Sequence, residues 1–531
     1  MPITRRGATG PLLVPLPGRM HVVAASDVAV IAALCLWALI LRLPFFFPDT
    51  IDWDESTLII MGQGIRDGLL PYDRIWDSKP PLAYAAYAGA IELLGRSVAA
   101  LRVAGYLGVV LTSYLVYRAS ELIAQDKLSA FVAALVATAM MSVLAPALMT
   151  ELLCVPLLSA ALLLLCSGHG SPRRAFLAGL LIGMAAMIRS NLAVLGFAVG
   201  LLVIARPPLV PPARPVTRGF AYAAGVLLIV AITVIPYLVS GRLPLWFDTV
   251  IRAGAEFSAH HRSFDNLRSL VQIAFGIRSD GTTRPAVVLL GVPLWIGGLA
   301  GLLCCAGRWR ELTERQRDAI IATAVFLTGA TLAVAMTGPP YGHYLVQIVP
   351  WFAIALGFAL ASVRIATARW LLVAGMGVAL IAAAVVHTRA SYEALLTRIE
   401  LGQSLAYGPA YEIADYVRSA GQGPSSLYMM SDHLVYWLTG TYPPTRMSTH
   451  PSVLTKPEII AAVEGADATP DTELRKILAT RPEFIVKPPV VDYLSGWPEL
   501  VRMLDETLAR DYVLATSIAG RQVYRRKPDA R

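Results

Sequence analysis

Residues 28–56 read VAVIAALCLWALILRLPFFFPDTIDWDES. An apolar run from Val28 to Phe47 gives way at once to an acidic cluster, Asp49, Asp52, Asp54 and Glu55. A run of about 20 apolar residues is long enough to cross the hydrocarbon layer of a membrane as a helix. Arg5, Arg6 and Arg19 precede it, as basic residues precede a secretory signal. No small-residue cleavage site follows, so the run reads as an uncleaved first membrane helix with carboxylates at its exit.

The rest of the chain supports a membrane protein. Of 531 residues, 56% are hydrophobic and 15% charged, and mean hydropathy is +0.60. A soluble domain carries about 25% charged residues. The net charge of +9 raises the question of nucleic acid. However, the arginines sit mostly in short loops between apolar runs, and neither a basic stripe nor a recognition motif is present. Cys35, Cys154, Cys166, Cys304 and Cys305 all fall in apolar segments, with no disulfide or metal-ligand spacing.

Eleven apolar spans are expected, at 26–46, 98–120, 129–146, 150–167, 174–189, 191–206, 219–239, 286–305, 318–336, 343–362 and 370–387. The pair 174–189 and 191–206 is short and reads equally as a hairpin or a broken helix. Basic residues set the orientation. With the N-terminus inside, the inner loops hold Lys127; Arg173 and Arg174; Arg206, Arg214 and Arg218; Arg308, Arg310, Arg315 and Arg317; Arg364 and Arg369. The short outer loops near Pro146, Ser190 and Pro339 hold only Arg189. This puts 47–97, 240–285 and everything beyond 387 outside. The expected division is a membrane domain over 1–387 and a soluble α+β domain over 388–531. Charged groups are nearly absent from the span interiors; Glu151, Arg189 and His343 sit at outer ends. That argues against an ion-coupled transporter, which needs ionisable groups near the midplane.

The tail reads as a small α+β domain. GPAYEIADYVRSAG, TELRKILAT and PELVRMLDETLARD have helical patterning; SSLYMM, PEFIVK and GRQVYRRK read as strands. No nucleophile–base pair stands out in it, and we expect it to shape acceptor access.

Five outer features bear on chemistry. The acidic cluster precedes a helical stretch, Ser56 to Gly68, which Ser56 or Asp54 would cap; solvated capping carboxylates are the plain alternative. In WDSKPPL, Asp77 and Lys79 precede a double proline that fixes the backbone direction, leaving Lys79 at the interface as a functional cation or a snorkelling anchor. Glu151, in LMTELLCVP, is a carboxylate at a helix mouth that needs a partner or serves as a cap. The loop IRAGAEFSAHHRSFDNLR gathers Arg252, His260, His261, Arg262 and Arg268. Adjacent histidines on a helix face different ways, so phosphate binding suits this strip better than metal. Tyr341, His343 and Tyr344, in GPPYGHYLVQIVP, lie at an outer span mouth, where aromatic residues are common in any case.

Together these features resemble the GT-C superfamily of membrane glycosyltransferases. The branch is the one with protein O-mannosyltransferases, lipid A aminoarabinose transferases and rhizobial lipopolysaccharide-core transferases. The carriers are DWDES after the first helix, the Y-D-x-x-W-D-S-K-P-P-L run, an acid after Thr150 at the fourth span, and H-Y-x-x-x-x-x-P late in the chain. Glu151 stands where aspartate is commoner, and Arg189-Ser190-Asn191 where lysine-proline is frequent.

The resemblance implies a polytopic helical protein of the bacterial inner membrane with its site facing the periplasm. It would transfer a sugar from a polyprenyl-phosphate donor to an envelope glycan, lipid or protein. Asp54 would be the general base, with Glu55 or Glu151 orienting it or the acceptor. Lys79 and Arg262 would bind the donor phosphate. Asp52, Tyr72, His261, His343 and Tyr344 would line the substrate site. Two carboxylates near His343 leave room for a divalent metal ion. Single displacement with inversion follows, since no separate nucleophile is seen. Competing readings are an envelope polysaccharide polymerase or ligase, expected to carry an Arg- and His-rich loop without the acid cluster, and a lipid-linked sugar flippase or channel subunit, expected to line its spans with charge.

Overall fold

The structure is a computed structural model that describes residues 25–166, 171–205, 214–261, 264–278, 280–338, 340–421 and 426–528. Each of the eleven expected apolar segments is helical. Seven helices are long and apolar enough to cross a membrane: Ser26–Phe46, Val98–Ala124, Lys127–Leu144, Pro215–Val239, Pro285–Gly307, Glu314–Ala335 and Ala366–Glu400. The others are shorter, Thr150–Cys166, Pro172–Ile188, Ala193–Ala205 and Val349–Ser362. Two of these, Thr150–Cys166 and Val349–Ser362, are largely buried among their neighbours. The weakly defined pair resolves into separate helices. Pro172–Ile188 ends at Arg189, a short 3-10 turn follows, and Ala193–Ala205 leaves to pack on Glu314–Ala335. Pro172–Ile188 instead packs closely on Pro215–Val239. A Cβ on Gly179 would strike the Tyr222 carbonyl, and one on Gly225 the Phe176 carbonyl. Small residues are what allow two membrane helices to approach at backbone distance.

Helix Ala366–Glu400 continues well past 388, so the expected domain boundary falls inside a helix that carries the chain into the C-terminal domain. That domain has a four-stranded sheet, β1 (Leu427–Met429), β2 (Phe484–Lys487), β3 (Tyr512–Ile518) and β4 (Arg521–Arg526), in the order β1-β2-β4-β3. β1 and β2 are parallel; the other pairs are antiparallel. All three expected strands and all three expected helices are present. β3 was not among the expectations. It follows helix Pro498–Asp511 with no intervening turn residues, so no punctuation marks its start. A parallel pair needs a long crossover. Here the crossover between β1 and β2 carries three short helices, and its middle, 446–456, turns back toward the membrane portion.

The segment 47–97 forms two helices, Trp53–Arg66 and Pro81–Leu94, joined by a connector. The cap is Asp52, whose carboxylate accepts from Asp54 N at 2.9 Å, rather than Ser56 or Asp54. Ser56 instead donates to the Trp53 carbonyl inside the first turn. The C-terminal domain is stitched to this pair. Asp49 N donates to the Tyr407 carbonyl at 2.8 Å, and the Asp49 carboxylate accepts from Ala410 N at 2.6 Å. Gly408, at φ +125°, passes so close to that carboxylate that a Cβ would collide with it. Trp76 N reaches both the Arg446 carbonyl and Thr449 Oγ1 at 3.2 Å.

Glu55 and Arg102 are both buried and paired, Nη2 to Oε2 at 2.7 Å and Nε to Oε1 at 3.2 Å. Glu55 also accepts from Leu148 N at 2.9 Å. Removing one member of a buried pair strands the other charge, at a cost of about 3–5 kcal/mol. Arg102→Met is therefore expected to lower Tm in detergent far more than a surface Arg→Met change. Glu55→Gln should lose stability ahead of turnover per folded molecule. Normal thermal stability in Arg102→Met would remove this pair as the anchor of the outer helices.

Candidate active site

The acid cluster, the double-proline segment and the C-terminal crossover converge at the start of helix Trp53–Arg66. Asp54 Oδ2 lies 3.0 Å from Lys79 Nζ, which also lies 3.5 Å from Asp77 Oδ2. The side chains of Lys79 and Asp54 are 16% and 22% exposed, enough for a ligand to touch both. Lys79 is held from behind. The Tyr72 and Tyr84 hydroxyls donate to its carbonyl at 2.6 and 2.7 Å, and Tyr84 also donates to the Asp77 carbonyl at 2.8 Å. Tyr72 is fully buried and adopts φ +74°, a region that bulky residues rarely visit. Its place is behind the lysine, shaping the connector.

The other oxygen of Asp54 faces the C-terminal domain, with Oδ1 lying 3.3 Å from His450 Nε2. His450 Nδ1 accepts from Ser452 N at 3.2 Å. A neutral His450 therefore carries its proton on Nε2 and presents it to Asp54. No sequence expectation included His450. Burial raises the Asp54 carboxyl, but Lys79 and His450 outweigh it and hold the group well below the usual carboxylate range. Burial would lower the Lys79 ammonium; Asp54 and Asp77 reverse this and lift it above the ordinary lysine value. Asp52 moves the other way, raised first by burial and then by the neighbouring Asp54 charge.

A second constellation adjoins this one. Glu151 is fully buried, 2.5 Å from Arg189 Nη1, and accepts from the Thr150 hydroxyl at 3.2 Å. Arg189 donates to Thr150 Oγ1 at 2.9 Å and lies over the Tyr344 ring at 4.7 Å. Glu151 is thus a partnered acid, and the partner is the arginine at the unusual Arg189-Ser190-Asn191 position. His343 connects the two constellations. Its Nδ1 is 3.7 Å from Asp52 and its Nε2 3.9 Å from Glu151, and its ring stacks on Tyr341. The two carboxylates approach opposite ring nitrogens, so they do not converge on one point as the ligands of a metal ion would. Among the described residues, no group of three or more His, Cys, Asp or Glu side chains is placed to hold a metal ion.

The site thus gathers Asp52, Asp54, Lys79, Glu151, His343 and Tyr344, with Glu55 one residue away in the buried pair. Arg262 and the side chain of His261 lie outside the described residues. His260 is exposed, with Glu256 its carboxylate neighbour, and Arg252 is exposed beside Asp248. Besides Lys79, Lys456 of the C-terminal crossover also feels the Asp54 charge.

Comparison with known proteins supports this picture. Residues 78–239 match the sequence profile of the dolichyl-phosphate-mannose-protein mannosyltransferase family. No curated protein matches the chain in sequence. Among solved structures, ArnT from Cupriavidus metallidurans bound to undecaprenyl phosphate superposes with a TM-score of 0.63 at 14% identity, covering 96% of this chain and 99% of that one. The same protein in its apo state gives 0.58 at 17% identity, with 94% and 97% covered. The oligosaccharyltransferase AglB from Archaeoglobus fulgidus, in complex with an inhibitory peptide and a dolichol-phosphate, gives 0.50 at 13% identity, covering 95% of this chain and 74% of that one. From membrane helices to C-terminal sheet, this chain has the fold of the GT-C membrane glycosyltransferases.

Proposed function

We propose that the protein is an inverting glycosyltransferase that takes a sugar from a polyprenyl-phosphate donor and passes it to a hydroxyl of a cell-envelope glycan, glycolipid or protein. The observation that carries this is the pairing of Asp54 with Lys79 at 3.0 Å in a partly open cleft between the membrane helices and the C-terminal domain. The reaction needs a carboxylate to take the acceptor proton and a cation where charge develops on the departing phosphate. The cleft supplies both side by side. The ArnT and AglB structures hold a lipid phosphate in their own complexes, which supports the same class of donor here.

In this reading the acceptor oxygen attacks the anomeric carbon from the face opposite the lipid phosphate, and Asp54 receives its proton. The bond from the anomeric carbon to the phosphate oxygen breaks, and the lipid phosphate leaves with the electron pair. Paired with Lys79, Asp54 is a weak base. As the phosphate gains charge it competes for the Lys79 ammonium and loosens the ion pair. The proton affinity of Asp54 then rises during the step that needs it. His450 keeps Asp54 Oδ1 oriented, leaving Oδ2 as the oxygen whose basicity changes. Glu151 and Arg189, paired directly and through Thr150, with His343 between Glu151 and Asp52, form a fixed wall beside the acceptor.

We place the site outside the cytoplasm, on the basic-residue asymmetry of the loops. A reporter active only outside is expected to be on when fused at Gly402 and off when fused at Arg310. The opposite pattern would reverse the sidedness.

The activity test is release of polyprenyl phosphate from a polyprenyl-phosphate sugar by purified protein, dependent on added acceptor. Asp54→Asn is expected to lower turnover by about 100- to 10,000-fold with folding intact. The pH profile adds a signed prediction. Activity falls when Asp54 protonates, and Lys79 holds that event below the usual carboxylate range. The acid limb of kcat/KM should therefore lie at unusually low pH. In Lys79→Met, residual activity should show the limb displaced to higher pH, because the cation that stabilised the carboxylate is gone. An unmoved limb would separate Asp54 from the titration. Near wild-type turnover in Asp54→Asn would reduce Asp54 to a helix-start acid.

A further inference from the structure

The donor reading leaves one cation beside the acid cluster unexplained. Lys456 starts helix Pro457–Glu464 of the C-terminal domain, and that helix packs against the segment 248–261 of the outer loop. Its ammonium lies 5.2 Å from the Phe257 ring centroid. Asp54 and Asp77 attract it and Lys79 repels it, so it belongs to the same electrostatic cluster. Yet among the described residues it has no carboxylate within 4.0 Å and donates no hydrogen bond, whereas Lys79 is shared between two aspartates. Burial lowers its pKa, and the attraction of Asp54 and Asp77 does not fully offset that. The position also runs against helix electrostatics. A helix N-terminus carries partial positive charge and favours an acid, not a lysine. The Lys456 ammonium and the helix start thus add positive potential on the C-terminal-domain side of the two aspartates that Lys79 engages.

We infer that Lys456 is a second phosphate-binding cation, so that the phosphate of the lipid-linked sugar is held between Lys79 of the membrane portion and Lys456 of the C-terminal domain. This rests on the polyprenyl-phosphate donor proposed above. The chemistry fits: an ammonium resting on an aromatic face keeps its three donors free on the other side. A phosphate with several oxygens accepts from two lysines at once, and the second lysine lets it engage Lys79 without bearing alone the cost of displacing Asp54. Because the two cations come from different domains, donor binding would also tie the domains together. The strip at 251–268, where a phosphate site is expected from sequence, also contributes Phe257 as the platform for this lysine.

The test is binding of undecaprenyl phosphate to the purified full chain in detergent, read as ligand-dependent thermal stabilisation, with inorganic phosphate as a second ligand. Wild type should be stabilised by the lipid at micromolar concentration and by inorganic phosphate only at far higher concentration. Lys456→Met should leave the Tm of the ligand-free protein close to wild type, since no ion pair is lost, and weaken lipid binding about tenfold or more, the worth of one charge-assisted hydrogen bond. Lys456→Arg should recover most of the affinity, and Lys456→Gln, polar but neutral, should behave as Met does. Wild-type affinity in both neutral variants would overturn the assignment. A lower ligand-free Tm in both, with unchanged affinity, would make Lys456 an anchor on Phe257 and overturn it equally. Failure of wild type itself to bind the lipid would overturn the donor reading, and this assignment with it.

Discussion

The geometry of the site depends on Arg102. Fully buried in the first turns of helix Val98–Ala124, it spends its guanidinium on the carbonyls of Phe45, Pro48 and Asp49 and on both oxygens of Glu55. Arginine alone among the side chains presents a rigid fork of five donors able to do this. One residue thereby fixes the exit of the first membrane helix, the loop after it and the first turn of the next helix. Asp54 is the neighbour of Glu55 in that turn, so its direction follows from a bond it does not make. Arg42 does similar work one layer in, donating to the carbonyls of Ala145 and Pro146 at 2.7 and 3.0 Å and so setting the approach to Glu151. Structural cations thus stand behind both candidate acids.

A carboxylate that must act as a base is usually tuned toward neutrality by burial. Here burial does push Asp54 upward, yet the lysine wins because it sits 3.0 Å away in the same cleft. The ion pair stores the acid in a weakly basic form until an anion competes for the lysine. In the reaction proposed above, a polyprenyl phosphate would be such an anion and also the leaving group, which would make proton acceptance contingent on the donor.

Much of this was legible in the sequence, for identifiable reasons. Membrane helices announce themselves by length and apolarity, and all eleven segments are helices; how many cross the bilayer is a separate question, since Thr150–Cys166 and Val349–Ser362 are short and mostly shielded by protein. Asp54 and Lys79 stood out by their local sequence, an acid cluster directly after an apolar run and a lysine directly before a double proline. The cap was misplaced by two residues, because Asp52, Asp54 and Ser56 are all acceptable cap residues and only the backbone conformation chooses between them. Glu55 and Tyr72 looked like site residues; their partners, Arg102 and the Lys79 carbonyl, assign them to support. His450 and Lys456 were out of reach. Both reach the site through a crossover between parallel strands near the end of the chain, and no local period or motif in HPSVLTKP encodes a contact with DWDES. Arg189 stands out in the sequence as a loop arginine at a span end and as a departure from pattern; its pairing with Glu151 required the turn that separates the two short helices.

The central claim is that the lipid phosphate competes with Asp54 for Lys79. An experimental structure of the protein with bound polyprenyl phosphate tests it most directly. The account predicts the phosphate against Lys79 Nζ, with the Lys79–Asp54 separation lengthened beyond 3.0 Å and the Asp54–His450 contact retained. A phosphate bound elsewhere, with the Lys79–Asp54 pair intact, would contradict it.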